Sequence, residues 1–452
     1  MKNFDIVIVG AGSAGCIVTN QIINNTNLKV LLIEAGPSDN HPVIQIPLGY
    51  GMTFFHKKMN WNFYSEKQKK LNDREVYYPR GKVIGGSGSI NAMIYARGLK
   101  TDFENWNLNK SWSWENIKDT YEKIEVPIKG KSKKIPINKI PVNDVSNEHH
   151  SILKNYFNAA NDFHFQFNHQ LNSSIEDQVG NYNVNIINGF RASSAKIFLK
   201  PIKNHPNLTI LTNTEVLKLN YENRKISSLK IKHKKKIIVI KPNIGTILST
   251  GSIMTPYLLL KSGIGKAEEL RQYNIPVQFN SPHVGKNFQD HLGLDYLYKT
   301  HMPTLNDELG TWTGRIKTVL RYFYNRKGPL SLSLNQGGGY INWKSLDPFP
   351  NIQLYFNPLT YSVTYKNKRP LLKTDKFSGF IIGFNSCRPK SLGEVKLRLE
   401  NEEYYPSINP NYLSDERDIH DLYSAFDFVR KFSSNKHIKN IIKAPINIDP
   451  IK

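Results

Sequence analysis

Residues 4–35 follow an order that few chains can carry without building one particular unit: an apolar strand, a glycine-rich turn, a helix, a second apolar strand, then an acid. The first strand reads over residues 4–9. Gly10-Ala11-Gly12-Ser13-Ala14-Gly15 follows, a helical stretch runs to about Ile23, residues 29–33 read as the second strand, and Glu34-Ala35 closes the unit. Each part has a physical task in holding a dinucleotide. Gly10 permits the tight turn, Gly12 lets a pyrophosphate approach the backbone, and Gly15 lets the helix pack close to the strand. The free N–H groups and the dipole at the helix start attract phosphate. Glu34 lies about twenty residues on, where a carboxylate binds both ribose hydroxyls and repels a 2′-phosphate, which disfavours NADP. These features predict a Rossmann-like βαβ unit in an α/β dinucleotide-binding domain.

Composition narrows the remaining choices. A chain of 452 residues holds two or three domains. With 39% hydrophobic and 22% charged residues it reads as globular. No run of eighteen uncharged apolar residues occurs, so no transmembrane helix is expected. Asp5 and the glycine turn interrupt the N-terminal apolar run as a signal peptide. Only Cys16 and Cys387 are present, which excludes a disulfide framework and makes a reducing cytoplasm the simplest compartment. The net charge of +24 could serve nucleic acid, an anionic membrane or an acidic substrate. The lysine runs, residues 129–134 and 232–236 around His233, sit in turn-like places without zinc-ligand spacing. No basic helix studded with aromatic residues stands out. The expectation is a solvated lysine-rich surface and no nucleic acid, with weak contact to the inner face of a membrane as the alternative. No metal is assigned.

Along the chain, the first hundred residues read as α/β, residues 130–147 as a polar surface loop and 151–162 as a helix. Residues 208–211, 215–221, 226–233 and 237–241 read as successive strands, with turns at Asn213 and at 223–225. Residues 244–249 form another strand, running into Gly251-Ser252 and a helix over 256–261. From about Asp295, the alternating aromatic segments 339–343, 352–356 and 379–384 predict an antiparallel sheet in an α+β substrate domain, and 417–436 an amphipathic helix. The expected organisation is a dinucleotide-binding domain in two parts, 1–150 and 189–294, a substrate-domain excursion over 151–188, and a substrate domain over 295–452.

A second glycine cluster runs Arg80-Gly81-Lys82-Val83-Ile84-Gly85-Gly86-Ser87-Gly88-Ser89-Ile90-Asn91-Ala92-Met93. Its small residues suit close backbone approach to a flat or phosphorylated ligand. The apolar positions Val83, Ile84, Ile90 and Ile94 predict an ordered turn feeding a helix. Continued through Tyr95-Ala96-Arg97-Gly98 to Asp102-Phe103-Glu104-Asn105-Trp106, this segment resembles the first signature of the glucose–methanol–choline (GMC) oxidoreductases. The segment Gly251-Ser252-Ile253-Met254-Thr255-Pro256, with Leu258-Leu259 and Ser262-Gly263-Ile264-Gly265, resembles the second. Residues 284–292, 189–193 and 406–415 resemble three further blocks. The resemblance runs in order along the whole chain and is nearest to choline-dehydrogenase-like members.

The resemblance implies FAD rather than NAD. It places the pyrophosphate on Gly10, Gly12, Ser13, Ala14 and Gly15, and the adenosine ribose on Glu34 and Ala35. Val83, Gly86, Ser87, Asn91, Ala92, Met93 and Ile94 then line the pyrophosphate and isoalloxazine, and Val216 the adenine end. One relative ties its flavin covalently through a His that corresponds to Ile90 here; Ile90 has no nucleophile, so the FAD is expected to be non-covalent. The implied chemistry is hydride transfer from an alcohol carbon to flavin N5, the protein supplying orientation, a base and alkoxide stabilisation. The substrate is a small-molecule alcohol; the electron acceptor and oligomeric state stay open.

The family's base is a His in a C-terminal His-x-x-Gly-Thr block, which does not occur in these residues. His420 and His437 read as exposed helix residues, His291 as a structural hydrogen-bonder. His149, His150, His164 and His169 read as lying in excursions without metal partners. The expectation is a truncated chain or the first part of a split enzyme, impaired in catalysis, with an unpaired strand edge and apolar surface beside the cofactor. The alternative is a non-catalytic FAD-binding remnant. Residues 334–340 resemble the family's substrate-domain segment. Gln336 stands where choline-acting relatives often have an acid, and a neutral amide cannot supply the charge a quaternary ammonium needs. A neutral primary alcohol is therefore expected as readily as choline.

Overall fold

The computed structural model describes residues 3–106, 108–132, 137–168, 171, 177–366 and 369–447. In it the strand Phe4–Val9 takes a parallel partner on each side, Val30–Ile33 and Pro242–Leu248. Leu208–Leu211 pairs with the far edge of Val30–Ile33 and completes a four-stranded parallel sheet. The two inner strands are near-continuous Val, Ile and Leu, as a sheet covered on both faces requires. One face packs on Cys16 and Ile23 of the helix Ser13–Asn25 and on Ala195, Leu199 and Ile202. The other packs on Leu219, Leu229, Ile231 and Ile240 of a three-stranded antiparallel sheet formed by Thr214–Glu222, Lys225–His233 and Lys236–Ile240. The turns marked in the sequence fall where Asn213, Asn223 and Arg224 adopt the left-handed conformation. Among the described residues Pro242–Leu248 is an edge strand, and Ile244 on it is exposed.

A seven-stranded sheet forms the second layer. Its order is Ile442–Pro445, Gly293–Thr300, Gly379–Ser386, Ile352–Asn357, Gly337–Ile341, Gln178–Asn181 and Gln166–Phe167. The three aromatic segments read as strands pair antiparallel with one another at its centre. The helix Glu416–Ser434 lays Ala425, Phe428, Val429 and Phe432 on this sheet, beside Tyr156 of the helix Leu153–Asp162. Phe428 and Phe432 are fully buried; burying each side chain is worth about 1.5–3 kcal/mol.

Three readings of the sequence are corrected. Residues 130–147 are not a loop throughout: Ile140–Asp144 pairs in parallel with Glu125–Lys129. Its polar composition hid the strand because buried Asn143 is spent on structure, donating to the carbonyls of Gly130 and Ile186. The second glycine cluster does not feed a helix. It makes one 3₁₀ turn, Gly86–Ser89, and the next helix is Lys100–Asn105; Met93 takes a φ of 62°, which no right-handed helix admits. Finally, a basic helix carrying aromatic residues does exist, Trp312–Asn325. Lys133, Lys134 and His169 lie outside the described residues. Among the described residues no helix is long and apolar enough to cross a membrane.

Candidate cofactor and substrate site

The chain leaves Val9 through Gly10, whose φ is 94° and where a Cβ would lie 2.6 Å from the Ser249 carbonyl oxygen. A Cβ on Gly15 would lie 2.0 Å from the Gly10 carbonyl oxygen, so this residue holds the helix against the strand. The helix Ser13–Asn25 starts after Gly12, with no side-chain cap and no acid in its first turn. Its first N–H groups and its positive dipole end are therefore left for an outside anion. A Cβ on Gly12 would meet nothing nearer than 3.9 Å, so that face is open.

This turn borders a cavity of ≈ 520 Å³. Of the residues expected at a dinucleotide, Gly10, Gly12, Ser13, Ala14, Glu34, Ala35, Gly86, Ser87 and Val216 line it. Glu34 is buried, and its two carboxylate oxygens accept from the N–H groups of Ala11 and Gly36, both at 2.9 Å. Burial pushes its pKa up to about 7, against the opposing pull of those hydrogen bonds and of Lys82. An open glycine face, an uncapped helix start and an oriented carboxylate fit the pyrophosphate and ribose of FAD. The lining also includes Trp61, Phe63 and Arg80, and the stretch Ser249-Thr250-Gly251-Ser252, to which no cofactor role was given from sequence. That stretch follows a parallel strand and opens the helix Gly251–Lys261, the same grammar as Gly10–Gly15, and this could have revealed it.

Other residues expected at the cofactor stand beside the cavity. Gly15 faces the strand. Val83 packs with Ile44, Met59 and Ile90. Met93 packs with Val145, Val184, Ile186 and Leu332, with Ile94 against them. Ala92 is half-buried, and Asn91 accepts through Oδ1 from Arg191 Nη1 at 2.8 Å. Arg191 itself is buried, donates also to the carbonyls of Ile44 and Gly88, and has its pKa lowered to about 10 by desolvation. It clamps the second glycine cluster, a role that its sequence block did not disclose.

On the antiparallel sheet, Gln336 is 1% exposed, and its Oε1 accepts from the His150 N–H at 2.7 Å. That bond orients the amide and leaves Nε2 buried without a partner. Buried Asn357, beside the Gly337–Phe356 pair on the neighbouring strand, has Oδ1 unpartnered, and Ser333 Oγ is likewise buried and unpartnered. Such groups cost about 1–3 kcal/mol each while unpaired. His149 and His150 do not sit in a surface excursion. His149 Nδ1 is 2.8 Å from Asn181 Oδ1, and burial lowers the pKa of both imidazoles. The polar run around them carried no periodicity that would betray this packing. His420 and His437 are half-buried rather than exposed, 3.8 Å from Asp421 and 3.7 Å from Asp162. His291 is exposed and donates from Nδ1 to the Ser386 carbonyl, and His164 lies in the turn after Leu153–Asp162.

A glycine cradle on a parallel sheet, a buried acid oriented beside it and a separate antiparallel sheet carrying buried polar groups are features of a dinucleotide-binding protein. The GMC oxidoreductase family model matches residues 4–293. Alcohol dehydrogenase (acceptor) of Pseudomonas putida is 32% identical over 450 residues, covering 97% of this chain and 80% of that protein. Mitochondrial choline dehydrogenase of Mus musculus is 28% identical over 437 residues, covering 93% of this chain and 71% of that protein. Among solved structures, pyridoxine 4-oxidase from Mesorbium loti superposes with a TM-score of 0.84 at 24% identity, over 98% of this chain and 83% of that one. Formate oxidase gives a TM-score of 0.86 at 22% identity, over 99% and 84%. These structures share the fold. The chain belongs to the GMC oxidoreductase family, as an FAD-dependent oxidoreductase of the alcohol- and choline-dehydrogenase kind.

Proposed function

We propose that this protein oxidises a neutral primary alcohol, with FAD held non-covalently; when bound, the flavin would serve as hydride acceptor. The observation that carries the substrate reading is the uncharged pair Gln336 and Asn357, a buried donor and a buried acceptor without partners. A substrate hydroxyl can satisfy both, and this uncharged pair supplies no counter-charge for a quaternary ammonium. Bound flavin supplies the acceptor for the electron pair. The N–H groups at Gly12, Ser13 and Ala14, with Gly86 and Ser87, hold the pyrophosphate. Glu34 and Ala35 hold the ribose, Val216 the adenine end, and Val83 with Asn91, Ala92, Met93 and Ile94 support the isoalloxazine end.

Residues 1–452 contain no His-x-x-Gly-Thr, and we assign removal of the hydroxyl proton to a group outside them. A positioned base contributes about 10²–10⁴ in rate. Mixing the chain with the C-terminal segment of a relative, or fusing the two, is expected to accelerate anaerobic bleaching of the flavin band by alcohols on that scale. Rates no higher than those of the chain alone refute the assignment. Should no alcohol bleach the flavin in either form, the second reading stands, an FAD-binding protein without turnover.

Two further outcomes follow here. Acid precipitation is expected to release all the flavin into the supernatant, because buried Ile90 offers no nucleophile; flavin remaining with the pellet contradicts non-covalent binding. Gln336→Glu in the reconstituted protein is expected to raise choline reduction of the flavin relative to a neutral alcohol at least tenfold, about 1.4 kcal/mol. An unchanged ratio removes Gln336 from the substrate site.

A further inference from the structure

The helix Trp312–Asn325 is mounted with its apolar side outward. Its buried residues are Thr318 and Tyr322. Tyr322 donates its hydroxyl to the Gly189 carbonyl at 2.8 Å and sets its ring edge-on to Phe190. On the opposite side, Trp312, Ile316, Val319, Leu320 and Phe323 recur at helical spacing as one stripe, with Trp312 75%, Leu320 64% and Phe323 63% exposed. A surface helix normally turns such a stripe to the core. A contiguous exposed patch of this kind, unlike scattered apolar residues, marks an interaction surface.

Along the chain, the residues of the stripe's own helix and the two that follow it carry one sign of charge, while the preceding helix Leu305–Leu309 carries Asp307 and Glu308. Arg315, Lys317 and Arg321 flank it, Arg326 and Lys327 follow it, and no acid occurs between Glu308 and Asp347. Arg326 lies over the rings of Tyr322 and Phe323 at 4.8 and 5.3 Å.

We propose that this face docks on an anionic lipid bilayer, the helix lying in the plane of the interface. Trp312, Ile316, Leu320 and Phe323 enter the acyl boundary, and the five cations meet the headgroups. At 14 residues the helix is about 21 Å long, enough to lie on a bilayer but not to span one. A second copy of the chain would set these cations against their own kind, and nucleic acid has no use for the aliphatic stripe. A lipid surface answers both the stripe and the charge, and the net charge of +24 adds long-range attraction to it.

The test is co-sedimentation of the FAD-loaded full chain with phosphatidylcholine vesicles, with and without phosphatidylglycerol. The wild type is expected to bind the phosphatidylglycerol vesicles at least tenfold more tightly than the neutral ones. The Leu320→Glu/Phe323→Glu variant is expected to lose at least tenfold in that binding, with flavin content and melting temperature unchanged, since both side chains are exposed. Equal binding by variant and wild type overturns the proposal, as does a wild type that ignores both vesicles. A wild-type dimer in sedimentation velocity that the double variant dissolves assigns the face to self-association instead.

Discussion

Gly15→Ala is expected to leave the purified protein without FAD and markedly less stable, whereas Gly12→Ala loses FAD and keeps its stability. The contrast comes from what each new methyl meets. At Gly15 it would stand 2.0 Å from the Gly10 carbonyl oxygen, which is backbone and cannot swing aside. Helix and strand must part, and overpacking of this kind costs about 1–3 kcal/mol. At Gly12 the methyl meets only the Ser249 oxygen at 3.9 Å, so the fold absorbs it. What it obstructs is the open face at the uncapped helix start where a pyrophosphate approaches. We expect FAD affinity to fall at least a hundredfold in both variants, about 2.7 kcal/mol. Apo-protein melting temperatures should fall in Gly15→Ala alone. Gly12→Ala protein that retains its flavin through desalting would show that the cofactor does not approach this turn.

Affinity for FAD is expected to rise with pH through about 7, by up to tenfold per unit below that value, and then level off. Glu34 is the cause. Burial lifts its folded pKa from 4.5 to about 7. Ribose hydroxyls donate to a carboxylate, so binding favours the ionised form and is weakened while the proton is on. The apo-protein responds with the opposite sign. Between pH 4.5 and about 7 the folded state keeps a proton that the unfolded state has released. Stability conferred by that proton is fully present below 4.5 and is lost as pH rises through about 7, at up to about 1.4 kcal/mol per unit. Titrating FAD fluorescence against apo-protein at pH 5.5, 6.5 and 8 checks the first slope, and Glu34→Gln should flatten it. A flat wild-type profile would remove Glu34 from the ribose site.

The parts of this molecule that could be read from sequence are those whose physics is local. Phe4–Val9, the glycine turn, Ser13–Asn25, Val30–Ile33 and Glu34 are contiguous, and each constrains its neighbour within one or two turns of chain. The antiparallel strands around Ile352–Asn357 were legible for a similar reason, their alternating aromatic residues. Sheet order was not, because Gly337–Ile341 pairs with Gln178–Asn181 across more than 150 residues of chain, and no periodicity reports such a partner. The placement of His149 and His150 against Asn181 and Gln336 was lost with it. Trp312–Asn325 failed differently. Its apolar spacing was present in the sequence, but spacing does not say which side of a helix faces in. That is set by Thr318 and Tyr322, the two residues of the helix that are buried.

The wall of the cofactor cradle opposite Gly10 is the backbone of Ser249, on the far side of a strand pairing that joins residues 4–9 to 242–248. The cradle is thus an assembly of the two ends of a 250-residue stretch. At about 5–20 residues per second a ribosome needs roughly 12–50 seconds to make that stretch. During this interval Phe4–Val9 has Val30–Ile33 to pair with but lacks its second partner. Ligand capture is therefore a late event in biosynthesis.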